Sequence, residues 1–218
     1  MNSHSTETGP VPLWLWRATL GALASVVLIG LAAALWLGTR PVARGRPVPT
    51  DLLSVWNLRP GAAGGPEGER FLLRTDTQGI VYVTAEPTFE NVSFQLRARW
   101  LGGPDDAGYG LIVRYRGPQD FSALLVAGDG YIAAGEMADG VWRWHVPWRQ
   151  WPHIRRGSLE NLLRAECSTG VCRFFVNDEL AFELESSSPQ GRIGLAVWVP
   201  EPGSGSLAAF RQWQAWTP

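Results

Sequence analysis

The sequence predicts an all-β body of two antiparallel sheets packed face to face, preceded by one membrane-spanning helix. Three observations carry this. Short runs with apolar alternation of period two recur from residue 71 onward. Clusters of Gly, Pro, Asn and Asp separate those runs. Residues 18–37 form an uncharged apolar stretch with no polar stripe.

The stretch reads ATLGALASVVLIGLAAALWL, long enough to cross a hydrocarbon core of about 30 Å as a helix. Trp14, Trp16 and Trp36 flank it, where interfacial aromatic rings sit. It is longer than the apolar core of a signal peptide, and Gly38-Thr39-Arg40-Pro41 offers no small-x-small cleavage site. The expected organisation is a tail (1–17), a transmembrane helix in the lipid bilayer (18–37), a Pro/Arg linker (38–50) and a β-sandwich domain (51–218). Arg17 precedes the span, and Arg40, Arg44 and Arg46 follow it, which by charge alone favours a cytoplasmic C-terminal domain. The cysteine pair described below argues the other way, since disulfides persist outside the cytoplasm. The reading taken is a single-pass protein of a bacterial cell membrane with its domain outside.

In Val92–Trp100, residues Val92, Phe94, Leu96, Ala98 and Trp100 share one face, while Ser93, Gln95, Arg97 and Arg99 share the other. Tyr109–Tyr115 alternates likewise, and the turn-rich LGGPDDAG between the two runs predicts antiparallel neighbours. Further strands are expected at 71–74, 80–84, 121–127, 131–134, 141–146, 162–167, 171–176, 180–184, 193–199 and 207–216. A short helix around 159–164 is the one competing local reading. Cys167 and Cys172 bracket a four-residue turn, close enough for a disulfide that would pin a hairpin.

Composition excludes several classes. The formal net charge is -1 and charged residues make up 18%, so no electrostatic nucleic-acid partner is expected. All 19 basic residues are arginine, which reads as coding bias. His4, His145 and His153 form no ligand-spaced cluster, and no phosphate loop or zinc motif is present, so neither metal nor cofactor is expected.

An ordered series of short motifs adds to this. Gly108, Gly110 and Arg114 come first, followed by Phe121, then Asn161 and Leu163. Phe175-Val176-Asn177, Gly191 with Gly194-Leu195, and Phe210 with Trp213 complete it. Over about Val92–Trp216 the chain resembles the concanavalin A-like (LamG-like) jelly rolls, in particular their bacterial 3-keto-disaccharide hydrolase, laminarinase-like branch. The resemblance implies two curved sheets with one concave face and, often, carbohydrate recognition. It also implies a glycoside hydrolase as an alternative. The E-x-D-x-x-E pattern of the glucanase members is absent, and the acidic residues Asp105, Asp106, Asp129, Asp139 and Asp178 read as solvated turn carboxylates. No catalytic residue is therefore assigned.

The stretch VWRWHVPWRQW is the most unusual in the chain. Indoles match the flat C–H faces of sugar rings, so Trp142, Trp144, Trp148 and Trp151 are the candidate ligand platform, with at least half expected to be structural. Arg143 and Arg149, together with Arg114, are the candidate hydrogen-bond donors to the ligand. Arg97, Arg99, Arg114 and Arg116 are expected on one sheet surface, either as an anion site or as a solvated charged face. The function read from the sequence is a membrane-anchored, non-catalytic glycan-binding module. A glycoside hydrolase and an accessory subunit of a membrane complex remain as alternatives.

Overall fold

The computed structural model describes residues 45–53, 56–58, 61–185 and 189–218. The apolar span at 18–37 lies outside them. Among the described residues no helix is long and apolar enough to cross a membrane.

In chain order the strands are β1 (Arg46–Pro47), β2 (Trp56–Leu58), β3 (Ala63–Glu67), β4 (Arg70–Thr75) and β5 (Gly79–Phe89). β6 (Val92–Gly102), β7 (Gly108–Gly117), β8 (Asp120–Ala127), β9 (Tyr131–Ala138) and β10 (Val141–Gln150) follow. β11 (Asn161–Ser168), β12 (Val171–Val176), β13 (Glu179–Glu185), β14 (Gly191–Val199) and β15 (Ser206–Thr217) complete the body. One sheet runs β13-β12-β11-β6-β15-β4-β3, with β1 also on β15; the other runs β10-β9-β8-β7-β14-β5-β2. Residues 159–164 form the start of β11 and the loop before it, not a helix.

The alternating apolar faces pack between the sheets. Phe94, Leu96 and Ala98 of β6 meet Tyr109, Leu111 and Val113 of β7 in one core, with Phe174 and Phe210. Each of these is essentially inaccessible to solvent. At about 25 cal/mol per Å² of apolar surface removed from water, this layer dominates the stability.

Three expectations are corrected here. β6 and β7 are not neighbours: β6 pairs with β11 and β15, and β7 with β8 and β14. Residues 103–107 cross from one sheet to the other. Alternation fixes which face is buried and leaves the partner open. The four arginines therefore do not share a surface: Arg97 and Arg99 lie on one sheet, Arg114 and Arg116 on the other. Residues 46–48, assigned above to the linker, join the body. Arg46 and Pro47 pair with Thr217 and Trp216, and the Val48 N–H donates to the Ala215 carbonyl at 2.8 Å.

Turn chemistry matches the hairpins. Asn177 and Asp178 both have positive φ, 52° and 70°, in the two-residue turn between β12 and β13. Asp139 and Gly140, at 51° and 79°, do the same between β9 and β10. Such primed turns match the right-handed strand twist. Cys167 and Cys172 face each other across the β11–β12 hairpin and form the disulfide, buried against the core.

A polar knot sits inside this core. The buried Asn161 Nδ2 donates to the Tyr109 hydroxyl and to the Arg155 carbonyl, each at 3.0 Å. Its Oδ1 accepts from the Arg155 N–H and from Asn177 Nδ2, each at 2.8 Å. Burial pushes the Tyr109 hydroxyl up to about 12, against the opposing hydrogen bonds to Asn161 and the Trp100 backbone. An unfolded tyrosine ionises near 10, so the unfolded chain releases this proton first as pH rises. The Tyr109 contribution to stability is therefore intact below about pH 10 and lost between about 10 and 12, a total of about 3 kcal/mol. Urea melts across that range should show the decline, and Tyr109→Phe should flatten it.

Candidate functional site

The outer face of the seven-stranded sheet is aromatic. β10 places Trp142 and Trp144 there by alternation, and a bulge turns Val146 into the main core. A second irregularity before Arg149 returns Trp148 to the outer face. Pro147 sits between the two, tolerated because β10 is an edge strand. Small residues beneath the rings make room for them. A Cβ on Gly108 would lie 2.9 Å from Trp148 Cη2, and one on Gly135 would lie 2.8 Å from Trp142 Cζ2.

The rings form one connected set. Trp142 and Trp144 meet edge to face at 5.1 Å, and Trp144 lies 5.9 Å from Trp148. Trp198 of β14 completes the group, 5.0 Å from Trp148 and 6.1 Å from Trp144. Phe121, Tyr82 and Tyr115 continue it across the sheet. These rings cover Ile112, Ala123 and Ala196 completely, so much of this face is a second small core. Trp144 remains 37% exposed at its rim.

At one end of this face a cavity of about 230 Å³ is lined by Asp106, Asp129, Tyr131, Trp148 and Trp198. Asp129 lies in the β8–β9 turn, where its N–H donates to the Asp105 carbonyl at 3.0 Å and its Oδ1 accepts from the Tyr131 N–H at 3.1 Å. Burial raises the Asp129 carboxyl above the usual carboxylate range, and the charges of Asp105 and Asp106 add to that, while the Tyr131 N–H opposes it.

The remaining expected site residues lie elsewhere. Trp151 packs on the main core, with the Arg149 guanidinium 5.6 Å from its ring. Arg143 is exposed on the side of β10 opposite Trp142 and Trp144, next to His145, whose Nε2 lies 3.2 Å from Glu136 Oε1. Arg114 is buried at 2% exposure, its guanidinium donating to the carbonyls of Glu90, Pro189 and Ser168. Arg116 pairs with Asp120.

Sequence reasoning missed Trp198, Tyr131 and the convergence of Asp106 with Asp129. Trp198 had a signal: in GLAVWV it alternates with Gly194 and Ala196, opposite the apolar run Ile193, Leu195 and Val197. The aspartates had none, since they lie on different loops.

A larger cavity of about 380 Å³ lies on the eight-stranded sheet among Glu67, Glu69, Arg70, Arg99, Glu160 and Arg211. Its charges largely compensate one another. Arg70 pairs with Glu67 at 2.8 Å, and Arg97 and Arg211 share Glu160. Burial raises the Glu160 carboxyl, but the hydrogen bonds and charges of Arg211 and Arg97 outweigh it and hold the group below its ordinary range. This is a solvated ion-pair face.

Solved structures share this fold. Carbohydrate-binding module CBM66 from Bacillus subtilis superposes with a TM-score of 0.61 at 13% identity, covering 74% of this chain and 95% of that one. The body has a two-sheet jelly-roll fold. A Bacillus subtilis protein with a galectin-like fold matches this jelly roll with a TM-score of 0.58 at 11% identity, covering 79% of this chain and 96% of its own. Bacillus licheniformis β-glucanase matches at 0.52 and 12% identity, covering 76% and 92%. No protein-family model matches the sequence, and no curated protein sequence does. At such identities the likeness describes the fold, and the jelly roll hosts both binding and hydrolysis.

Proposed function

We propose that the protein is a membrane-anchored glycan-recognition module, with residues 18–37 as its anchor and its jelly roll outside the cytoplasm. The observation that carries this reading is the indole group of Trp142, Trp144, Trp148 and Trp198, with Trp144 exposed at its rim and a carboxylate-edged cavity at its end. Indole faces stack on sugar rings, and the Asp106 and Asp129 carboxylates accept hydrogen bonds from hydroxyl groups. The neighbours that bind or cleave carbohydrate lend the reading support from fold alone.

The test is a glycan array probed with the intact chain in a polyoxyethylene detergent, which presents no sugar. Binding should appear and fall at least tenfold in the Trp144→Ala, Trp148→Ala double variant. Absence of binding by the parent protein would remove the reading. A membrane-impermeant protease added to intact cells should digest the jelly roll; full protection would reverse the orientation.

A second reading rests on Asp106 and Asp129 lining one cavity, since hydrolases use two carboxyl groups across a bound glycoside. The raised Asp129 would then be the proton donor. Release of reducing sugar by the parent protein and its loss in Asp129→Asn would favour hydrolysis over binding alone.

A further inference from the structure

We propose that the cavity bounded by Asp106, Asp129, Tyr131, Trp148 and Trp198 binds an organic ammonium group. The source is either the protonated amine of an amino sugar or the quaternary amine of a choline-type compound. This goes beyond the glycan reading, because the cavity's chemistry selects a positive charge whether or not a sugar carries it.

Size is the first argument. Cavities that hold whole drug-sized ligands run to about 300–1,000 Å³. At about 230 Å³, this one takes a single ring or a compact headgroup.

The walls supply the second. Trp148 and Trp198, packed on each other with ring centroids 5.0 Å apart and tilted by 40°, both line the cavity, and Tyr131 is 39% exposed beside them. The electron-rich faces of indole and phenol attract ammonium groups, most strongly where water is excluded. Tetraalkylammonium surfaces are also apolar, so the same walls bury their methyl groups favourably.

Charge supplies the third. Asp106 and Asp129 reach the cavity from separate loops. The charges that act on Asp129 are those of Asp105 and Asp106, so like meets like. Arg156 lies against Gly130 in the same turn but forms no salt bridge with Asp106 or Asp129 among the described residues. Neutral hydroxyl groups would leave this accumulated negative charge in place, and an anion would add to it. A cation relieves it.

The cavity wall is also held in advance. The Gly130 N–H donates to Ala127, the Trp151 N–H to Gly130, and the Gly157 N–H to Gly128 at 2.7 Å, which together brace the turn. Gly108 seats the Trp148 ring. Little ordering is left to be done on binding.

The test is isothermal titration of the intact chain, in polyoxyethylene detergent, with two matched pairs. Choline is compared with 3,3-dimethylbutan-1-ol, its uncharged isostere, and glucosamine hexamer with N-acetylglucosamine hexamer. The charged member of at least one pair should bind at least tenfold more tightly, and Asp129→Asn should abolish that preference with an unchanged melting temperature. Asp106→Asn, on the other loop, is the second variant should the first misfold. Preference for choline alone assigns the quaternary class, and preference for the glucosamine hexamer alone assigns the sugar amine. Equal affinities within both pairs would overturn the inference while leaving glycan recognition standing. Absence of binding by all four probes would overturn it as well, and glycan recognition is then judged by the array. Choline binding without binding of either hexamer would uphold the inference, and glycan recognition is again judged by the array.

Discussion

Replacing Arg114 with methionine should remove about 3–5 kcal/mol of folding stability. The guanidinium is 2% exposed and donates to three carbonyls, those of Glu90, Pro189 and Ser168, from the β5–β6, β13–β14 and β11–β12 connections. One planar fork thus ties three loops at one end of the jelly roll. The backbone is arranged around it. Arg114 has φ of 57° and sits where both ladders of β7 lose register, between Val113 and Gly117 on one side and opposite Arg192–Gly194 on the other. A bulge of this kind re-aims a side chain, here into the body. Gly191 makes the approach feasible, since a Cβ there would lie 2.3 Å from the Arg114 carbonyl carbon. Methionine keeps most of the packing volume and leaves the carbonyls of Glu90, Pro189 and Ser168 without this donor. Lysine keeps the charge but not the fork, so Arg114→Lys should lose roughly half as much. Urea melts measure both. A loss below about 1 kcal/mol for Arg114→Met would mean that water replaces the guanidinium.

Arg114 also shows where sequence reading stops. Its place in the motif with Gly108 and Gly110 was visible, but the role read from it, a ligand donor, is not the one its burial supports. Nothing local in VRYRG distinguishes a guanidinium aimed at solvent from one aimed at three distant carbonyls. Strands were legible because alternation is a local property: the run 171–176 matches β12 residue for residue. The weak strands β1, β2 and β3 were not, since AGGPE carries no apolar alternation and is held by pairing with β4. The indole face was half legible. Trp142, Trp144 and Trp148 stand within seven residues, whereas Trp198 joins them only because β14, β7, β8, β9 and β10 lie side by side. Asp129 was read as a solvated turn residue because its turn chemistry, GDG, is real. Its second role arises from Asp106, which a different loop brings to the same cavity.

Asn161→Leu should cost about 3–5 kcal/mol and should also disturb the cavity at Asp106 and Asp129, although Asn161 does not line it. The side chain uses its full hydrogen-bonding capacity inside the protein: two donors to Tyr109 and Arg155, two acceptor sites filled by Arg155 and Asn177. Asn177 extends the knot, accepting from the Leu162 N–H at 2.9 Å and donating to the His153 carbonyl at 2.7 Å. Together they fix the loop between β10 and β11. That loop in turn holds the Asp129 turn, through Trp151 to Gly130 and Gly157 to Gly128. Leucine fills the same space but leaves the partners unpaired in a buried site, so the loop loosens before the sheets separate. Amide exchange at Trp151 and Gly157 should therefore accelerate in Asn161→Leu under conditions where core amides of β6 and β7 stay protected. Arg114→Met should spare those two amides and act on the loops at the other end. Asn161→Asp separates hydrogen bonding from charge. Its carboxylate keeps the acceptors, loses both donors and faces the Tyr109 hydroxyl, so the variant should be least stable at neutral pH. It should recover in part as falling pH protonates the buried group, because a buried carboxyl has a raised pKa and the folded state then binds the extra proton. Unchanged exchange at Trp151 and Gly157 in Asn161→Leu would detach the cavity from the core knot and leave the Asp129 turn standing on its own hydrogen bonds.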